Sequence, residues 1–266
     1  MKTYIQITIR SKEATKEAEY GRSFLQAMFD TDLRLEPEYL DCVLTRSNTT
    51  PFENLQASLT RWATQETVKG YTAEVNGIWG AKWKRKSRPS YNCEIDHTSA
   101  AINGELIPSS FSLTAKWNAT VNWAYLLKSL CMLPKTQIAT LHHFIDIEMK
   151  NKNNRFEIGS LGAWFDPKFP EIAWGMMFGD DFVHAVDVEK LTALGFPVEA
   201  VGSGYLVRVT DSLLDVSQRF DYFCERRELL RANLPRDIFT DPDEAEANRA
   251  EIERLIKERD QQAAIT

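Results

Sequence analysis

The sequence predicts an α+β fold, a mixed or mainly antiparallel sheet covered by amphipathic helices. Three observations predict it. Ile5, Ile7 and Ile9 alternate with Gln6 and Thr8, the period of two of a strand with one buried face. Ala14, Ala18, Gly21, Leu25 and Met28 recur at three- and four-residue steps, the stripe of a helix packing on that strand. Through the middle of the chain, hairpin signals outnumber the strand–helix–strand units that a doubly wound parallel sheet requires.

The opening strand is followed by a helix from about Lys12 to Phe29. Glu36 to Leu59 contains Pro37, Pro51 and the polar run Ser47 to Thr50, which predicts loop with a short helix from Asn54 to Trp62. Lys82 to Lys86, Ser90 to Asp96 and Ser110 to Trp117 are rich in aromatic and β-branched residues and read as strands. Asn103-Gly104 marks a hairpin, because a type I′ turn needs positive φ at both central residues. Val121 to Leu133 is an apolar helix stopped by Pro134, Ala139 to Met149 a strand, and Lys150 to Arg155 an exposed turn.

Ile172 to Phe178 reads as a buried strand. Asp187 is placed to cap the next helix, Val186 to pack on Leu191 as its staple, and Leu194-Gly195 to end it. Val198 to Val201 and Tyr205 to Val209 flank Gly202-Ser203-Gly204 as a hairpin. Leu213, Val216, Phe220, Phe223 and Leu230 predict one long helix from Asp211 to Leu234, limited by Pro235. The segment opening Asp241-Pro242-Asp243-Glu244 carries Lys257 and Arg259 near its end, which suits both poles of a helix dipole. Residues 1–240 are thus expected to form the α+β domain, with two strand–helix lobes as an open alternative. Residues 241–266 form a charged C-terminal helix and tail.

With 266 residues, 43% hydrophobic and 26% charged, the chain is neither fibrous nor wholly disordered. Its start lacks the basic and apolar regions of a secretory signal, and no window approaches the roughly eighteen apolar residues of a membrane span. Cys42, Cys93, Cys131 and Cys224 are scattered, as expected of reduced thiols in a cytoplasmic protein. A net charge of −6 supplies no global attraction to nucleic acid or to an anionic membrane and favours a basic partner.

No constellation of side chains makes a convincing catalytic site. His142-His143 with Asp146 are metal-ligand types, but neighbours on a strand point to opposite faces, so one core and one surface histidine are expected. Gly159-Ser160-Leu161-Gly162 and Gly202-Ser203-Gly204 complete neither a phosphate loop nor a nucleophile elbow and read as turns. Cys93 near His97 lacks the orienting group that a catalytic cysteine needs. Catalytic residues, metal and cofactor are therefore expected to be absent.

The basic aromatic run Trp79, Lys82, Trp83, Lys84, Arg85, Lys86 and Arg88 could stack bases while neutralising phosphates. Strand alternation instead places Trp83 inside and its charged neighbours on a solvated face. Glu36, Glu38 and Asp41 in one expected loop, and Asp180 and Asp181 in another, are candidate contacts for a basic protein partner.

The chain resembles the immunity protein 52 family of bacterial polymorphic-toxin and type VI secretion systems. The resemblance lies in Tyr4-Ile5-Gln6-Ile7-Thr8-Ile9 with its following helix, in Ala173-Trp174-Gly175-Met176-Met177-Phe178-Gly179, and in Leu194-Gly195-Phe196 leading to Gly202-Ser203-Gly204-Tyr205. It implies a non-enzymatic cytosolic antitoxin that blocks a nuclease effector of restriction-endonuclease-like class by stoichiometric binding, without direct contact to nucleic acid or membrane. No functional residue is carried over by it. Two other classes remain: a hydrolase, if the histidine or cysteine clusters converge in a pocket, and a nucleic-acid-binding protein, if the Lys82–Arg88 run joins a continuous basic groove with exposed aromatic rings.

Overall fold

The computed structural model describes residues 3–46, 49–69, 74–100, 106–133, 135–149 and 168–241. Strand β1 (Tyr4–Ser11) leads through α1 (Ala18–Thr31) to β2 (Tyr39–Cys42) and α2 (Leu55–Trp62). Seven strands follow: β3 (Glu66–Lys69), β4 (Glu74–Gly77), β5 (Gly80–Arg85), β6 (Tyr91–Asp96), β7 (Ser99–Ala100), β8 (Leu106–Ile107) and β9 (Ser109–Lys116). Helix α3 (Trp123–Cys131), β10 (Thr136–Phe144), α4 (Asp146–Met149) and β11 (Gly175–Phe178) continue the chain. Helix α5 (Val188–Ala193), β12 (Val198–Val201), β13 (Gly204–Arg208), α6 (Asp215–Gln218) and α7 (Phe220–Arg231) complete it.

Nine of these strands make one antiparallel sheet in the order β12-β13-β11-β10-β1-β9-β6-β5-β2, while β3-β4 and β7-β8 are separate hairpins. The α+β expectation is met by this sheet and its helices. The first strand lies at its centre, with Ile7 opposite Leu141 of β10 on one side and Leu113 of β9 on the other. Ile5, Ile7 and Ile9 are buried in a core shared with Phe24, Leu25 and Met28 of α1 and Leu126, Leu127 and Leu130 of α3. Removal of apolar surface from water, at about 25 cal/mol per Å², holds these layers together.

The second face of the sheet is covered over only part of its width. β10 is buried at every position, because Phe223 of α7 and residues around Trp174 cover that face. In β6 and β9 burial alternates, leaving Asn92, Glu94, Asp96, Ser112, Thr114 and Lys116 exposed. This half of the sheet therefore presents a polar surface.

Several boundaries differ from the sequence expectation, each for a non-local reason. Helix α1 begins at Ala18 rather than near Lys12, because the buried Thr15 is tied elsewhere: its carbonyl accepts from Trp62 Nε1 (2.8 Å) and its hydroxyl from Thr98 N (3.1 Å). The Glu36–Leu59 segment contains β2, an edge strand paired with β5, as well as the expected helix after Asn54. The Ala139–Met149 strand ends at Phe144, and Asp146–Met149 turns back as a helical turn. The expected Asp211–Leu234 helix breaks at Arg219, whose φ of −137° and ψ of 48° separate α6 from α7.

Local signals with local partners behave as expected. Asp187 caps α5 by accepting from Lys190 N at 3.0 Å. Gly202 supplies the left-handed φ of 57° that the β12–β13 turn requires. The expected hairpin tip Asn103-Gly104, the Lys150–Arg155 turn, the Gly159–Gly162 loop and the helix after Pro242 lie outside the described residues.

Candidate functional site

The buried ionisable groups serve the framework. His142 Nδ1 accepts from Trp174 N (3.1 Å), so Nε2 carries the proton and donates to Glu148 Oε2 (2.9 Å). Arg227 Nη1 donates to the other carboxylate oxygen at 2.8 Å. Burial alone pushes the Glu148 carboxyl up, but the hydrogen bond from His142, with the charge and hydrogen bond of Arg227, outweighs it and holds the group below its ordinary value. This triad joins β10, α4 and α7. Both imidazole nitrogens of His142 are engaged within the protein, so the ring is not placed to move a substrate proton.

The adjacent histidine corrects the expectation of one core and one surface ring, because both are buried. They do point to opposite faces. His143 stacks on Trp117 with ring centroids 4.2 Å apart, and neither of its nitrogens has a hydrogen-bond partner. Burial lowers its pKa to about 4. His97 donates from Nε2 to Trp62 O (2.9 Å) and meets Thr15 Oγ1 through Nδ1 (3.3 Å), leaving it no role beside Cys93. Burial pushes the Cys93 and Cys131 thiols up, which disfavours a nucleophilic thiolate. Among the described residues no group of three His, Cys, Asp or Glu could hold a metal, and no helix is long and apolar enough to cross a membrane.

The acidic candidates do not share one surface. Glu36 is exposed, and Glu38 accepts from Lys86 N (3.0 Å) and Ser87 N (3.1 Å); a hydrogen bond from the Ser87 side chain, then these backbone bonds, hold its carboxyl below the usual range. Asp41 is not on a loop: it lies in β2, 3% exposed, and accepts from Thr49 N (2.9 Å) and Thr50 N (3.0 Å), with Arg61 at 3.6 Å. Asp180 is exposed in the turn after β11. Its neighbour Asp181 pairs with Lys12 at 2.6 Å and accepts from Gln137 Nε2 at 2.8 Å, and the Lys12 bond leads in lowering its carboxyl. Register places Glu36 and Glu38 at the sheet end where Tyr39, Arg85 and Lys116 meet, and Asp181 at the opposite end, beside Lys12 and Gln137. The eight residues of β1 between these ends span roughly 25 Å.

The basic run, by contrast, is brought into a cleft. Two adjoining cavities of about 800 and 580 Å³ share Lys86, Ser90, Lys116 and Trp117 in their walls. Lys84, Arg85 and Arg88 also line them, and among the described residues no acidic side chain does. Sheet geometry makes the site: β5 ends at Arg85, the chain turns through Arg88-Pro89, and Lys116 N at the end of β9 donates to Ser90 O at 3.0 Å. The Lys84 and Lys86 ammonium groups lie 5.3 and 4.9 Å from the centre of the Tyr39 ring, and Arg85 Nη1 donates to Glu36 O at 2.8 Å. Lys82 is drawn away to the carbonyl of Val43 at 3.0 Å. Trp83 is fully buried, as alternation predicts. What sequence reading missed is Lys116-Trp117, whose approach depends on strand register; the alternation of β9 was its available signal.

No family model and no curated protein matches the chain. Among solved structures, the fold is similar to that of the Pseudomonas aeruginosa T6SS protein PA0821. The TM-score is 0.53 over 78% of this chain and 68% of that one, at 9% sequence identity, a likeness of fold.

Proposed function

We propose that this chain is a type VI secretion immunity protein that neutralises a secreted toxin, a basic nuclease, by binding it stoichiometrically. The observation that carries the reading is the fold shared with a protein named for that secretion system, which agrees with the resemblance of Tyr4–Ile9, Ala173–Gly179 and Leu194–Tyr205 to an immunity family. Two features support binding over catalysis. His97, His142, His143, Cys93 and Cys131 are buried in the framework, and exposed charged groups lie on loops and on an open sheet face. The net charge of −6 favours encounter with a basic partner. Glu36 and Glu38 supply acidic groups at one end of the sheet, beside the basic cleft, and Asp180 and Asp181 at the other; Asp41 contributes by folding the loop before α2.

Co-expression with the product of the neighbouring gene tests the reading. A stoichiometric complex and survival of cells carrying the toxin are expected. Charge reversal at the engaged rim, Glu36→Lys with Glu38→Lys or Asp180→Lys with Asp181→Lys, is expected to slow association about tenfold and flatten its salt dependence. Absence of both complex and protection would sink the proposal. A complex whose kinetics ignore both pairs of reversals would move the interface away from the acidic rims.

A further inference from the structure

We propose that the basic cleft between the β5–β6 turn and the end of β9 binds single-stranded nucleic acid, with phosphates on Lys84, Lys86, Arg88 and Lys116 and a base against Trp117. The proposal goes beyond toxin binding and does not depend on it. It also departs from the composition-based expectation of no nucleic-acid contact, for a local reason: five cations line these cavities in a protein of net charge −6, and they outnumber the neighbouring Glu38 carboxylate, which is held by Lys86 N and Ser87 N and acts on Arg85. The excess of cations over this one carboxylate leaves the concavity positive, and the concave wall focuses that field on an entering anion.

Spacing selects the kind of anion. Lys84 on β5 and Lys116 on β9 are separated by β6, so their backbones lie about 10 Å apart across the sheet. One carboxylate or phosphate between them would leave the cations of the turn unmet. Lys86 and Arg88 continue the positive track around that turn, which suits an extended ligand with repeated charges. The aromatic group narrows the choice further. Trp117 lies along both cavities and is held from behind by the His143 ring, so a flat surface stands at their junction. A base stacks on such a ring whatever its identity, while its phosphates follow the cations. Lys84 and Lys86 lie over the Tyr39 ring and Arg85 donates to the Glu36 carbonyl, which gathers the cations at this end of the sheet.

Fluorescence anisotropy of a labelled oligothymidylate of about ten nucleotides, titrated with the full chain over a salt series, tests the proposal. Binding at low salt is expected, with log affinity falling by about 0.7 per phosphate contacted for each log unit of salt. The surface variant Lys86→Gln/Arg88→Gln/Lys116→Gln should bind at least about tenfold more weakly, with a slope shallower by about 2. Trp117→Leu should also weaken binding about tenfold but keep the wild-type slope, a combination that general unfolding does not produce. Thermal unfolding of each variant verifies its fold.

Three results would overturn the proposal. The first is absence of binding at low salt, and the second is unchanged affinity in the triple variant. The third is displacement of the strand by polyglutamate at equal charge concentration, which would assign the cleft to an acidic protein segment. Toxin binding is measured without nucleic acid and with the rim variants, so either proposal can fail alone.

Discussion

His143 is a polar side chain buried against an aromatic ring. Its nitrogens are buried without partners and its ring lies against Trp117, so the neutral imidazole is the form the fold accepts. In the unfolded chain the same ring takes up a proton below about 6.5, whereas in the folded chain it does so only near 4. A folded-state pKa below the unfolded value means that acidification between these limits adds protons to the unfolded state first. Stability is therefore lost as pH falls from about 6.5 toward 4. His97, also lowered by burial, acts in the same direction. Replacing His143 by Phe keeps the stack, removes two unsatisfied nitrogens and is expected to add about 1 kcal/mol at neutral pH. Urea unfolding from pH 7 to 4 should show a weaker pH dependence in this variant, the remainder coming from His97 and, toward pH 4, from carboxyls such as Glu148 that the fold holds below their ordinary value; an unchanged dependence would mean that His143 is solvated.

At the scale of elements, α1 and α2 meet through a glycine facing a tryptophan. A Cβ at Gly21 would stand 2.6 Å from the Trp62 ring, closer than real contacts allow. The ring has little room to retreat, because its Nε1 donates to Thr15 O and the Trp62 carbonyl accepts from His97. Gly21→Ala gains helix propensity of about 1 kcal/mol but incurs overpacking of about 3, so a net loss of about 2 kcal/mol is expected in urea unfolding. Wild-type stability would show that α2 slides freely over α1. The helix of Asn54 to Trp62 was legible in sequence, since its capping bond, Asn54 Oδ1 accepting from Ala57 N at 2.9 Å, spans only three residues. The break at Arg219 was not, because the apolar spacing of Leu213 to Leu230 continues through it while α6 and α7 bury separate residues, Val216 and Phe223.

Across the whole molecule the core closes late in the chain. Ile238 and Phe239 are buried, Phe169 N donates to Ile238 O at 2.9 Å, and Thr240 N donates to Phe169 O at 2.9 Å. Truncation before Asp241 is expected to leave a cooperative unfolding transition of similar midpoint. Truncation before Asp237 removes two buried side chains worth about 2 kcal/mol each and should lower stability by about 4 kcal/mol. Circular dichroism during denaturant unfolding of both chains distinguishes the cases. Loss of cooperativity in the longer truncated chain would show that residues beyond Thr240 belong to the main fold.

What the sequence determined by itself was whatever short-range physics controls. The period of two in Ile5, Ile7 and Ile9 marked the central strand, Asp187 marked a helix start, and the burial of Trp83 followed from alternation. What only the tertiary structure decided depends on residues far apart in the chain. Asp41 is buried because Thr49 and Thr50 fold back on it, the Glu148 carboxyl is held low because His142 and then Arg227 of α7 reach it, and the acidic candidates separate because antiparallel register sends them to opposite ends of the sheet. The basic cleft has the same origin: Lys84 and Lys116 become neighbours only through two strand pairings, and pairing register is set by the buried face of the whole sheet.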